Sequence, residues 1–152
     1  MRYWLMKSEP DEFSIDDLKQ RKIEPWTGVR NYQARNFMRD GMRVGDGVLF
    51  YHSSCDEPGV VGVAEVAHEA YPDPTQFDPK SDYYDAGSKR EESRWLAVDV
   101  KFKRKLARTI ALTELKDRAE LGDFVLTRRG NRLSVLPVTK AQWDFILGLE
   151  KA

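Results

Sequence analysis

Four stretches of this sequence hold side chains able to do chemistry. Trp26–Asn36 reads WTGVRNYQARN, an aromatic beside a glycine followed by a polar, basic run. His52-Ser-Ser-Cys55 gathers a base and two nucleophile types. Lys101-Phe-Lys-Arg-Lys105 and Arg128-Arg-Gly-Asn-Arg132 are concentrated positive charge. Recognition of a splayed-out base needs a flat ring to stack on, polar groups for the Watson–Crick edge and cations for the flanking phosphates. Trp26 supplies the ring. Asn31, Ser8, His52 and Ser53 supply edge-reading groups, and Arg30 and Arg35 supply cations. The competing reading makes Trp26 a half-buried core residue and the basic runs a solvated strand face and a charged hairpin.

His52 with Ser53 or Cys55 is the alternative, a hydrolytic dyad acting on a small substrate. No Gly-x-Ser-x-Gly elbow and no orienting acid accompany it in the sequence. His52-x-x-Cys55 offers two metal ligands without a second His/Cys pair at zinc spacing, so no metal is expected. Gly45-Asp-Gly47 and Gly59-Val-Val-Gly62 lack the Gly-Lys-Ser/Thr that a phosphate loop requires. No cofactor is expected.

The elements that must hold these residues follow from periodicity and punctuation. Tyr3–Met6 reads as a buried strand closed by Ser8-Glu-Pro10. Ser14 caps a helix, with Asp17 three residues on. Pro25 ends that region and leaves Trp26 in a loop. Asn31–Arg39 reads as a second helix stopped by Gly41. Val48–Tyr51 and Val60–Val66 are strands, the latter extendable to Tyr71, and Trp95–Phe102 alternates as a strand. Residues 72–94 form a long loop rich in Pro, Asp, Tyr and Ser, the kind that carries function or moves. Thr139 caps a final amphipathic helix over Lys140–Leu149. Short strands edged by helices predict an α+β fold, a small mixed barrel, in one domain over residues 1–152.

Composition narrows the function classes. Net charge is zero, which argues against a sequence-blind polyanion binder. Residues 1–88 carry 10 Lys/Arg against 16 Asp/Glu, whereas residues 89–152 carry 15 against 9, so one basic face is expected. The charged residues Lys7, Glu9, Asp11 and Glu12 close behind the apolar start exclude a signal peptide there, and no membrane partner is expected. A single cysteine, Cys55, fits a reducing compartment and gives a cytoplasmic expectation.

Several of these stretches, in this order, resemble the EVE-domain family: Tyr3–Pro10, Trp26–Asn36, Gly45–Ser53, Gly62–Val66, Tyr71–Phe77 and Val98–Phe102 with Trp95. The resemblance implies a PUA-like fold related to YTH domains, and a non-catalytic module that reads a modified base in DNA or RNA. Modified cytosine is the first expectation and methyladenine the second. It implies a base pocket made from Lys7, Ser8, Trp26, Thr27, Gly28, Val29, Asn31, Tyr32, Phe50, His52 and Ser53. Trp26 is the first cage wall, and the second comes from Tyr83, Tyr84 or Trp95. Gly28 lets a base lie close. Phosphate contacts are expected from Arg30, Arg35, Lys101, Lys103, Arg128, Arg129 and Arg132. The expected state is a monomer, with a partner nuclease or modification enzyme left open. A binding domain for a free nucleoside is the non-polymer alternative.

Overall fold

Six strands and four helices arise from local signals that mostly agree with the sequence pattern. The structure, a computed structural model, describes residues 1–151. The elements run β1 (Tyr3–Ser8), α1 (Ile15–Arg21), β2 (Ile23–Trp26), α2 (Tyr32–Asp40), β3 (Gly47–His52), β4 (Gly59–Pro72), β5 (Leu96–Ala111), α3 (Leu112–Lys116), β6 (Val135–Val138) and α4 (Lys140–Leu149). Ser14 and Asp17 exchange hydrogen bonds in a capping box at α1, and Thr139 and Gln142 do the same at α4. Asn31 caps α2 through its side-chain oxygen.

The strand order is β2-β5-β4-β3-β1-β6. β1 and β3 run parallel, joined by the crossover through α1, β2 and α2, and the other pairs are antiparallel. The α+β class is the expected one, but the sheet is open: no ladder joins β2 to β6 among the described residues. Both edge strands are four residues long and contain a proline, Pro25 and Pro137. A residue without an N–H is tolerated at an edge and discourages further pairing.

Two features differ from the sequence expectation. Ile23–Trp26 is a strand, not the loop expected, because Trp26 pairs with Val98 and turns its ring inward. β5 runs on to Ala111, well beyond Phe102. The core lies between the sheet and the helices, with Leu5, Met6, Leu49, Phe50, Val98, Leu136 and Ile146 buried. Asp46 is buried within it and accepts from the Trp4 indole N–H and the backbone N–H groups of Arg2 and Arg43, so its oxygens are matched. Among the described residues, no helix is long and apolar enough to cross a membrane.

Candidate base pocket

The parallel register of β1 and β3 brings their C-terminal ends together. Lys7 lies beside Tyr51 and Ser8 beside His52. The Ser53 N–H donates to the Ser8 carbonyl (3.0 Å), and the Lys7 N–H donates to the Ser134 carbonyl (2.8 Å). The end of β2 adds Trp26, and the segment after it adds Thr27, Gly28 and Val29. Together with Tyr83 and Arg132 these residues line a cavity of about 500 Å³, within the ordinary range for a ligand site, ~300–1,000 Å³.

The long loop is what completes the cavity, and it is braced. Asp73 is fully buried. One of its oxygens accepts from the Gly28 N–H (2.8 Å) and Arg30 Nη1 (3.0 Å), the other from the N–H and hydroxyl of Thr75 (2.8 and 2.6 Å). Gln76 is also fully buried; its amide donates to the carbonyls of Asp73 and Trp95 and accepts from Ser88 and the Trp95 N–H. These contacts place Tyr83 against Gly28. A Cβ at Gly28 would lie 2.7 Å from the Tyr83 ring, and its φ is +84°. The missing side chain at Gly28 therefore makes room for Tyr83, not for a base as expected. Tyr83 lines the cavity together with Trp26 and Phe13.

Trp26 is more buried than a free platform: it is 8 % exposed and packs edge-on against Phe50, with ring centroids 5.5 Å apart. It both seals the core and lines the cavity, and its indole N–H has no hydrogen-bond partner among the described residues. Lys7 lines the cavity with its ammonium 5.9 Å from the centroid of the Tyr51 ring, and burial lowers its pKa. The carboxylates of Glu9 and Glu12 also line it, neither paired to a cation among the described residues. Burial raises the Tyr83 phenol's pKa, and nearby Glu12, Asp82 and Glu9 add to the effect.

Several expected pocket residues lie elsewhere. Phe50 is fully buried behind Trp26. His52 Nε2 accepts the Ile15 N–H (3.1 Å), an otherwise unpaired donor at the start of α1. Burial lowers the His52 pKa, against a smaller opposing pull from Asp16. His52 makes no hydrogen bond to Ser53 or Cys55 among the described residues, so the dyad geometry is absent there. Asn31 uses its side-chain oxygen as a cap. Tyr32 stacks on Trp95 (4.8 Å, 25°) away from the cavity. Trp95 is buried with its indole N–H on Asp85, and Tyr84 points to solvent.

The phosphate set also divides. Arg30 spends all five N–H donors inside the protein, on Tyr83, Val29, Asp73 and Thr75. It braces the loop and has no donor left for a phosphate. Arg35 donates to Asn36 and the Arg94 carbonyl and covers Tyr32. Lys101 and Lys103 both face Glu65 (2.9 and 3.9 Å), and Arg104, Lys105 and Arg108 each have a carboxylate partner as well. Four carboxylates thus offset most of the five cations on the basic stretch of β5, with Glu65 shared between two lysines, as the solvated-strand reading held. Arg128 is bidentate to Asp123. Arg129 and Arg132 are exposed and have no ion pair among the described residues. Sequence reasoning missed Asp73, Gln76, Glu9 and Glu12. A buried acid or amide leaves no local pattern when its partners lie 19 or 45 residues away.

Comparison with known proteins places this geometry. A family model described as the EVE domain matches residues 2–149. Thymocyte nuclear protein 1 of Gallus gallus is 45% identical over 168 residues, covering 98% of this chain and 69% of that protein. The Homo sapiens protein of the same name is 44% identical, covering 98% of this chain and 74% of that protein. The crystal structure of human THYN1 protein in complex with 5-methylcytosine containing DNA superposes with a TM-score of 0.95 at 43% identity, covering 100% of this chain and 99% of that one. A crystal structure of a protein from Pseudomonas syringae gives a TM-score of 0.95 at 51% identity, covering 97% of this chain and 99% of that one. The cytoplasmic expectation is corrected by these relatives, whose name is nuclear. The lone cysteine behind that expectation does not separate the two compartments, because both keep thiols reduced.

Proposed function

The chain belongs to the EVE-domain family, and on that premise we propose that it is a non-catalytic reader of a modified cytosine in DNA. The observation that carries this reading is the cavity between Trp26 and Tyr83, open to solvent, on a fold that superposes on a relative crystallised with 5-methylcytosine DNA. The aromatic side chains of Trp26, Tyr83 and Phe13 give an everted base apolar surface to leave water for. The polar groups around them are uncommitted: the Trp26 N–H, the Ser53 and Thr27 hydroxyls, the Lys7 ammonium and the carboxylates of Glu9 and Glu12 make no side-chain hydrogen bond among the described residues. A carboxylate accepts from the N4 amine of cytosine, where thymine presents an acceptor. The cavity therefore suits a methylated cytosine and disfavours thymine, which carries the same methyl group.

The test is tryptophan fluorescence titration with short DNA and RNA strands. Each set carries one cytosine, methylcytosine, hydroxymethylcytosine, thymine or N6-methyladenine. The expected result is tightest binding to a modified cytosine, with Tyr83→Ala losing about tenfold to a hundredfold as one stacking contact of ~1–3 kcal/mol goes. Equal affinity for all strands, or a preference that survives Tyr83→Ala intact, overturns the reading. Binding of free methyldeoxycytidine as tight as the strand, and insensitive to salt, would favour a nucleoside-binding domain instead.

A further inference from the structure

A second concavity of about 450 Å³ adjoins the first, between α2 and the segment 128–133. Arg132 lines both. The two differ in charge. The base cavity carries Glu9, Glu12 and Glu24 on its rim, whereas no Asp or Glu lines the adjoining groove. Within the groove Arg128 is neutralised by Asp123, which leaves Arg129 and Arg132 as cations without a carboxylate among the described residues. The turn that presents them is fixed: the Asn131 N–H donates to the Arg128 carbonyl (3.1 Å), Gly130 sits at φ +77°, and the Asn131 oxygen accepts from the Leu133 N–H. The Asn131 amide nitrogen is left shielded and without an acceptor, a surplus of donor at a wall that already lacks anions. Gln33, exposed on the first turn of α2, adds a further uncommitted amide from the opposite side.

We propose that this groove carries the phosphodiester backbone flanking the everted base, so that the strand leaves the cavity across Arg132 and Arg129. This rests on the base-reading function proposed above and adds a direction to it. The cavity's other lining includes the carboxylates of Glu9 and Glu12, unpaired among the described residues, where a phosphate would meet like charge, while Glu24 is paired with Arg21. Arg132 is the shared point: it holds the phosphate at the step where the base turns into the cavity. Arg129 holds the next position along. Contacts of this kind position the strand and carry no base information.

Arg129→Gln, Arg132→Gln and the double variant would be titrated with a methylcytosine strand and its unmodified counterpart at several salt concentrations, alongside free methyldeoxycytidine. The expected result is equal weakening for both strands, with the methyl preference ratio unchanged. The slope of log affinity on log salt should fall by about 0.7–0.9 for each arginine removed. Nucleoside binding should stay at the wild-type value in Arg129→Gln, which lies outside the base cavity, and this also certifies its fold. Wild-type slopes and affinities in the double variant, with the methyl preference intact, would overturn the strand path while leaving the reader standing. Loss of nucleoside binding in Arg129→Gln, with the fold intact by thermal melting, would overturn it too, since it would place Arg129 on the base. No methyl preference in the wild-type protein would be the failure of the reader itself.

Discussion

Gly28→Ala tests the construction of the pocket at one atom. The added Cβ would stand 2.7 and 2.8 Å from two carbons of the Tyr83 ring, separations that real Cβ atoms essentially never show, and 3.0 Å from a third, and the residue sits at φ +84°. Two penalties follow. Strain at positive φ costs ~1–3 kcal/mol for a residue with a side chain. Overpacking against the ring costs another ~1–3 kcal/mol, unless Tyr83 moves away and opens the cavity. The two separate in a double-mutant cycle. In a Tyr83→Ala background the overpacking vanishes and only the backbone strain persists, so the coupling between positions 28 and 83 should be ~1–3 kcal/mol. Urea denaturation of the four proteins measures it. Titration with a methylcytosine strand should show Gly28→Ala and Tyr83→Ala each weakening binding, and the double variant no weaker than the worse of the two. Additive stabilities, with coupling below about 0.5 kcal/mol, would mean that Gly28 is a glycine for reasons unconnected with Tyr83.

Two further outcomes follow from contacts that run against the sequence pattern. Arg30→Gln leaves the fully buried Asp73 carboxylate without its cation; breaking such a pair costs ~3–5 kcal/mol, so denaturation should shift and amide exchange in residues 73–85 should quicken. A stable Arg30→Gln protein with a reduced salt slope in DNA binding would restore the phosphate role. His52 has a folded pKa below its ordinary 6.5 because of burial, so on acidification the unfolded chain takes up the proton first. Its effect on stability is nil above the unfolded pKa, and stability is lost as pH falls from there through the folded pKa, by at most about 1.4 kcal/mol per pH unit. Carboxylates held low, such as Asp17 and Glu150, titrate below this window. His52→Gln should therefore flatten the stability profile just below pH 6.5, and an unchanged slope would count against the Ile15 contact.

Local chemistry determined much of this protein. Ser14 with Asp17, Asn31 and Thr139 mark helix starts because their side chains satisfy N–H groups three residues away. The apolar run of β3 after its glycine turn and the alternation at the start of β5 mark strands, and the ordered stretches from Tyr3 to Phe102 carry the family resemblance. Lys7, Ser8 and Ser53, at or beside the ends of β1 and β3, and Trp26–Val29 all line the cavity; the family resemblance pointed to them, since β2 was not legible as a strand. Tertiary structure decided the rest, because each decision depends on a partner remote in sequence. Arg30 has the same side chain as Arg132, yet its donors are consumed by Asp73, Thr75 and Tyr83, 43 to 53 residues on. Lys101 has the same charge as Arg129, yet Glu65 on the neighbouring strand cancels it. Tyr83, Tyr84 and Trp95 were equal candidates until the Asp73 and Gln76 braces turned one ring toward Gly28, left one in solvent and buried the third. Charge and ring are properties of a residue; availability is a property of its surroundings, and those are set only when the strands and the long loop come together.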